Sequence, residues 1–171
     1  IGYQFDSIAG KTYNIETVEA AIKKLSPAKD DSVIIYYMGH GFRKTADERP
    51  FPYLDLRRDP SSNNYMKESL ASEDIFTRIR KKGARFTLML TDCCNTDPNV
   101  NNIVASPVPT QRESADVWNT DNFRKLFLDP ARSAIIVTAA DMHQRATSNN
   151  NFGGFFSYFF QSSLRKQLGP G

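Results

Sequence analysis

Apolar residues fall along this chain in two rhythms, one helical and one strand-like, and they alternate. After a short strand-like stretch at residues 2–9 and a turn at Gly10 and Lys11, apolar residues Ile15, Val18, Ala21, Ile22 and Leu25 recur at helical spacing. Asn14 stands where a helix N-cap belongs, and Pro27 stops the run. A near-continuous apolar run at 32–38 follows, the signature of a parallel strand buried on both faces. The stretch 43–64 is polar and turn-rich, with a small strand at 53–56. A second helix is predicted from Ser72, its expected cap, to Gly83, with Glu73 and Asp74 in its first turn and Ile75, Phe76 and Ile79 on its apolar face. A second buried strand, 85–91, leads directly into Asp92, Cys93, Cys94 and Asn95. Beyond a loop at 96–117 rich in Asn, Asp, Pro and Ser come a short helix at 118–128 and a third apolar strand at 133–139. Gly153 and Gly154 open a last helix containing Phe155, Phe156, Tyr158, Phe159, Phe160 and Leu164.

This alternation predicts one α/β domain over residues 1–171, a three-layer sandwich around a mostly parallel sheet. With 40% hydrophobic and 24% charged residues, the composition is that of an ordinary globular protein. No apolar run approaches the roughly 20 residues that span a bilayer, so no membrane role is expected. The net charge is +3, and its densest basic clusters, Arg57-Arg58 and Arg80-Lys81-Lys82, are short and lack interleaved aromatics. A nucleic-acid partner is therefore not expected.

The two cysteines, Cys93 and Cys94, are neighbours. Adjacent Cα atoms lie about 3.8 Å apart, below the usual disulfide span of about 4.4–6.8 Å, so the expected state is two free thiols in a reducing, cytoplasmic-type compartment. Sites in open α/β sheets gather beyond the carboxyl ends of the parallel strands. Gly39, His40 and Gly41 follow the first apolar strand, and the cysteines follow the second. If the strands are neighbours, His40 and a cysteine share one crevice. An imidazolium beside a thiol favours the thiolate and can then protonate a leaving amine. The flanking glycines admit substrate to the backbone, and the Gly41 amide is a candidate oxyanion donor. His143 lies in a polar loop and reads as a surface residue. Zinc is disfavoured, because the adjacent cysteines lack the separation of about two to four residues common in paired ligands. No metal is expected at these residues.

Tyr36-Tyr37-Met38-Gly39-His40-Gly41 resembles the strand-then-His-Gly motif of caspase-like proteases, the metacaspases and their bacterial relatives in particular. Leu88 to Asn95 resembles their second motif, an apolar strand running into Asp-Ser-Cys. Pro52-Tyr53-Leu54-Asp55 is similar to the hairpin after the histidine, and Gly153-Gly154-Phe155-Phe156 to the start of the last helix. His40 and Cys94 lie 54 positions apart, near the roughly 50 of caspases.

The resemblance implies a caspase-like sandwich and a cysteine endopeptidase, with Cys94 as nucleophile and Cys93 in the place of the motif's serine. It puts Asp92 at the base of the pocket for the substrate residue before the cleaved bond (P1), with Asp141 as a second acidic group. A carboxylate there suits Arg or Lys. Caspases that cleave after Asp need a basic pocket, and their Gln-Ala-Cys signature is absent here. Met38 stands where metacaspases usually have a pocket serine, which implies a less polar wall. The same comparison implies a further first strand and helix, so an N-terminal segment of the same protein is an expected partner beside the polypeptide substrate. Arg112, in the loop 96–117, is a candidate self-cleavage point. The residues identify no cofactor with certainty; calcium activation is an open expectation from the resemblance, although no loop carries a recognisable ligand pattern. The competing readings are a non-catalytic scaffold of the same fold, which would have no need of the His–Cys pair, and a related cysteine hydrolase or transpeptidase.

Overall fold

The computed structural model describes residues 2–44, 46–59, 61–99, 119–129, 134–149, 151 and 153–169. In chain order the elements are α1 (Ile15–Lys24), β1 (Ser32–Met38), β2 (Gly41–Phe42), β3 (Tyr53–Asp55), β4 (Ser69–Ala71), α2 (Ser72–Arg80), β5 (Phe86–Asp92), α3 (Thr120–Phe127), β6 (Ala134–Thr138), β7 (Ser148–Asn149), β8 (Gly153–Gly154) and α4 (Phe155–Leu168). The central sheet has the order β1-β5-β6, and both pairings are parallel. A small antiparallel sheet, β2-β3-β4, and the β7-β8 hairpin accompany it.

The period-two geometry of β5 divides the core in two. Its odd-numbered Met89, with Cys93 just beyond, packs with Tyr37 of β1, Ile22 of α1, and Ile75 and Ile79 of α2. Its even-numbered Phe86, Leu88 and Leu90 pack instead with Phe127 of α3 and Leu168 of α4. Every residue of β5 is buried, as a central strand covered on both faces requires. The expected three-layer sandwich around a parallel sheet is what the chain forms.

Local signals explain most boundaries. Asn14 caps α1 by accepting the Thr17 amide at 3.0 Å, and Gly83 takes the left-handed conformation (φ +84°) just past α2. Ser72 departs from expectation: it is the first residue of α2, and its hydroxyl donates to the Pro52 carbonyl at 2.7 Å rather than capping the helix. Residues 2–9 form no strand, and Tyr3 is 94% exposed. Strand-like sequence needs a partner, and the only strand paired to β1 among the described residues is β5. The short helix begins at Thr120, two residues later than expected, because Asn119 accepts the amides of Asp121 and Asn122 as its cap. Trp118 and most of the 96–117 loop, Arg112 included, lie outside the described residues.

Met89 is completely buried at the centre of β5. Met89→Ala is expected to lower stability by about 2–5 kcal/mol, read as a shifted midpoint in urea denaturation followed by circular dichroism.

Candidate active site

The pairing of β1 with β5 aligns the two strand ends. Met38 stands opposite Asp92, and beyond the strands the Gly39 amide donates to the Asp92 carbonyl at 3.3 Å. The His40 turn and the cysteine turn therefore leave the sheet at one level. At Gly41 the two touch so closely that an added Cβ would fall 2.6 Å from the Cys94 carbonyl oxygen and 2.8 Å from the Cys93 Cβ. Only glycine fits this contact. Farther out, the Arg43 amide donates to the Thr96 carbonyl at 3.0 Å, so the segments after both turns stay together.

The histidine turn is braced from below. The His40 carbonyl accepts the Tyr37 hydroxyl at 2.6 Å and the Asp55 amide at 3.0 Å. Tyr37 is buried, and Tyr13 donates to its hydroxyl oxygen at 2.6 Å. Burial raises the Tyr37 phenol well above its ordinary range, so it remains a neutral donor to the His40 backbone. The His40 side chain itself is exposed at the crevice mouth.

The two cysteines occupy opposite environments, as successive residues at a strand end do. Cys93 points inward, 1% exposed. Burial, reinforced by neighbouring Cys94 and Asp92, pushes its thiol up to about 12, so it is protonated at neutral pH. Cys94 is partly exposed, and its thiol donates to the Ala146 carbonyl at 3.7 Å rather than to the imidazole of His40.

The chain after β6 closes the site's other side. Asn95, fully buried, donates its amide to the Gln144 carbonyl at 2.9 Å, and its own carbonyl accepts the His143 amide at 2.8 Å. Its side-chain nitrogen donates to the Pro50 carbonyl at 2.7 Å. These bonds bring residues 143–146 against the cysteine turn. His143 is exposed, as expected of a loop residue, but its backbone is held in the left-handed region at φ 66°. That conformation is uncommon for a residue other than glycine. Asp141 is exposed in this turn, and its carboxylate accepts the Met142 amide at 2.7 Å.

Asp92 lies deeper, 5% exposed. Its Oδ2 accepts both the backbone amide of Ser157, at 2.9 Å, and the Ser157 hydroxyl. Tyr36 lies 2.5 Å from that hydroxyl. Gly154, the N-cap of α4, makes no side-chain cap, and a Cβ on it would collide with the Asp92 carboxylate. Asp92 thus supplies the cap from another element, with favourable charge at the helix N-terminus. Met38 is 57% exposed opposite it. Ser157 was not legible as part of the site, although a Gly-Gly helix start with no capping side chain was a signal that a remote acceptor was needed.

Among the described residues no three His, Cys, Asp or Glu side chains converge as a metal site, and no helix is long and apolar enough to cross a membrane. The chain matches a family model described as caspase domain over residues 1–169. No curated protein matches the chain.

At mildly alkaline pH, iodoacetamide is expected to alkylate Cys94 alone in the folded protein and both cysteines after denaturation, because only Cys93 is buried and held protonated. Intact-mass spectrometry with peptide mapping reads the result.

Proposed function

Since the chain belongs to the caspase domain family, whose members are cysteine peptidases, we propose that it is an endopeptidase with Cys94 as nucleophile and His40 as its base, cleaving after Arg or Lys. The observation that carries this reading is the contrast between the two cysteines at the mouth of the His40 crevice. Cys93 is sealed in the core as a thiol, while Cys94 is reachable beside the histidine turn. In the proposed reaction the Cys94 thiolate attacks the scissile carbonyl carbon, forming a C–S bond. The amides of Gly41 and Cys94 stabilise the oxyanion. The C–N bond then breaks as His40 hands its proton to the departing amine, and water, deprotonated by His40, hydrolyses the thioester.

The preference for a basic P1 residue rests on Asp92. Its Oδ2 is taken by Ser157, and among the described residues no group donates to Oδ1. A buried carboxylate with one open oxygen, beside the exposed Met38, suits a long cationic side chain that is apolar along its stem. Asp141, exposed and engaged in its own turn, is the second acidic candidate. A cytoplasmic setting agrees with two unpaired cysteines. An N-terminal segment of the same protein as partner agrees with the uncovered Ile34, Tyr36 and Met38 on one face of β1. The metacaspase branch is the assignment that fits an acidic pocket. Calcium activation is retained as part of that assignment alone.

Cys94→Ala is expected to abolish hydrolysis of fluorogenic peptides ending in Arg, and His40→Ala to reduce it by at least about 100-fold, whereas Cys93→Ala retains much of it. Full activity in Cys94→Ala would overturn the assignment, and binding of partners without turnover would favour a non-catalytic scaffold. If the chain processes itself after Arg112, Arg112→Ala will remove that cut on a denaturing gel while leaving peptide hydrolysis in place.

A further inference from the structure

The polar chain behind Asp92 reaches beyond capping a helix. Tyr36 on β1, Asp92 on β5 and Ser157 on α4 come from three elements and meet on one face of the sheet. Asp92 Oδ2 receives the Ser157 amide and the Ser157 hydroxyl proton, so Ser157 Oγ is left to accept from Tyr36. The donors run in one direction: Tyr36 to Ser157 to Asp92. At the outer end Tyr36 is half exposed, and at the inner end the carboxylate is almost wholly buried. A carboxylate with both oxygens unassigned can rotate about its Cβ–Cγ bond. One whose Oδ2 takes two hydrogen bonds from a helix N-terminus is fixed, and its Oδ1 has a set direction.

We propose that Ser157 is a positioning residue for P1 recognition: it pins one oxygen of Asp92, with Tyr36 pinning Ser157 in turn, so that the other oxygen is presented to the cationic end of an Arg or Lys side chain. This rests on the reading of Asp92 as the P1-binding group and adds to it the residues that aim the carboxylate. Gly154 belongs to the same device, because any Cβ there would collide with the carboxylate. Ser157 touches neither the scissile bond nor the P1 cation, so its effect falls on substrate affinity and P1 discrimination more than on the chemical step.

The test uses the full chain and two fluorogenic peptides differing only at P1, arginine against its neutral isostere citrulline. The variants are Ser157→Ala, Ser157→Thr and Tyr36→Phe, and alkylation of Cys94 by iodoacetamide serves as a measure of the nucleophile that does not involve P1. Ser157→Ala is expected to raise KM for the arginine peptide about tenfold, the scale of one hydrogen bond to a charged group, with kcat changed much less and the arginine-to-citrulline ratio of kcat/KM falling. Ser157→Thr, which keeps the hydroxyl, restores that ratio, and Tyr36→Phe moves it in the same direction as Ser157→Ala by a smaller factor. The alkylation rate of Cys94 stays at the wild-type value. An unchanged ratio in both Ser157→Ala and Tyr36→Phe, with wild type still preferring arginine, would overturn the positioning role and leave the P1 reading standing. An equal loss for both peptides, not rescued by Thr, would reduce Ser157 to a structural cap and overturn it as well. A wild-type enzyme indifferent to arginine against citrulline would overturn the P1 reading and the positioning role together. Should Ser157→Ala not fold, the Tyr36→Phe ratio decides.

Discussion

The parallel pairing of β1 with β5 is the constraint on which the rest of the structure depends. Seven residue pairs, from Ser32 with Phe86 to Met38 with Asp92, hold the strands in one register. That register decides where both turns begin. Because side chains alternate along a strand, a slip by one residue would exchange inward and outward positions along the whole of β1. Tyr37 would then leave the core, and with it the hydroxyl that holds the His40 carbonyl. The register is secured by large buried side chains on the α1–α2 face and by the Gly39 amide bond to Asp92 beyond the strand ends.

The same alternation separates two chemically identical neighbours. Continuing the β5 pattern past Asp92 sends Cys93 into the core beside Met89 and leaves Cys94 at the surface. Backbone geometry rather than any special partner makes one thiol inert and the other reachable. Asp92, one step earlier, turns to the α3–α4 face and meets Ser157. Three consecutive residues thus serve three purposes: a carboxylate facing one helix layer, a thiol buried in the other, and a thiol in the crevice between the turns.

Much of this was legible in the sequence where it depends on local pattern. The apolar runs at 32–38 and 85–91 mark two strands of the parallel sheet, Asn14 marks a helix start, and the His–Gly and Asp–Cys–Cys turns fall at strand ends. Burial on both faces, expected of both runs, holds for 85–91 alone, because the run 32–38 forms an outer strand of the described sheet with Ile34, Tyr36 and Met38 exposed. What was not legible depends on long-range contact. Residues 2–9 have strand-like composition but, among the described residues, no strand paired with them, and Ser72 has the chemistry of a cap yet finds the Pro52 carbonyl instead. The resemblance alone told the adjacent cysteines apart in the sequence, and the physical difference between them, burial, comes from the fold. Asp92 could be assigned to a pocket by resemblance, but its partner lies 65 positions away, and no local rule points from one to the other.

That separation also orders events in time. A ribosome completes the strand bearing Asp92, and both cysteines after it, long before it reaches Ser157. Until residues 143–146 are made, the turn carrying Cys94 lacks the segment packed against it, and until α4 has been synthesised and docked, Asp92 lacks the hydroxyl and amide that hold it. A nascent or truncated chain therefore holds Cys94 without its finished surroundings. The exposed thiol is thus made early, and the packing around its turn and around Asp92 is completed late.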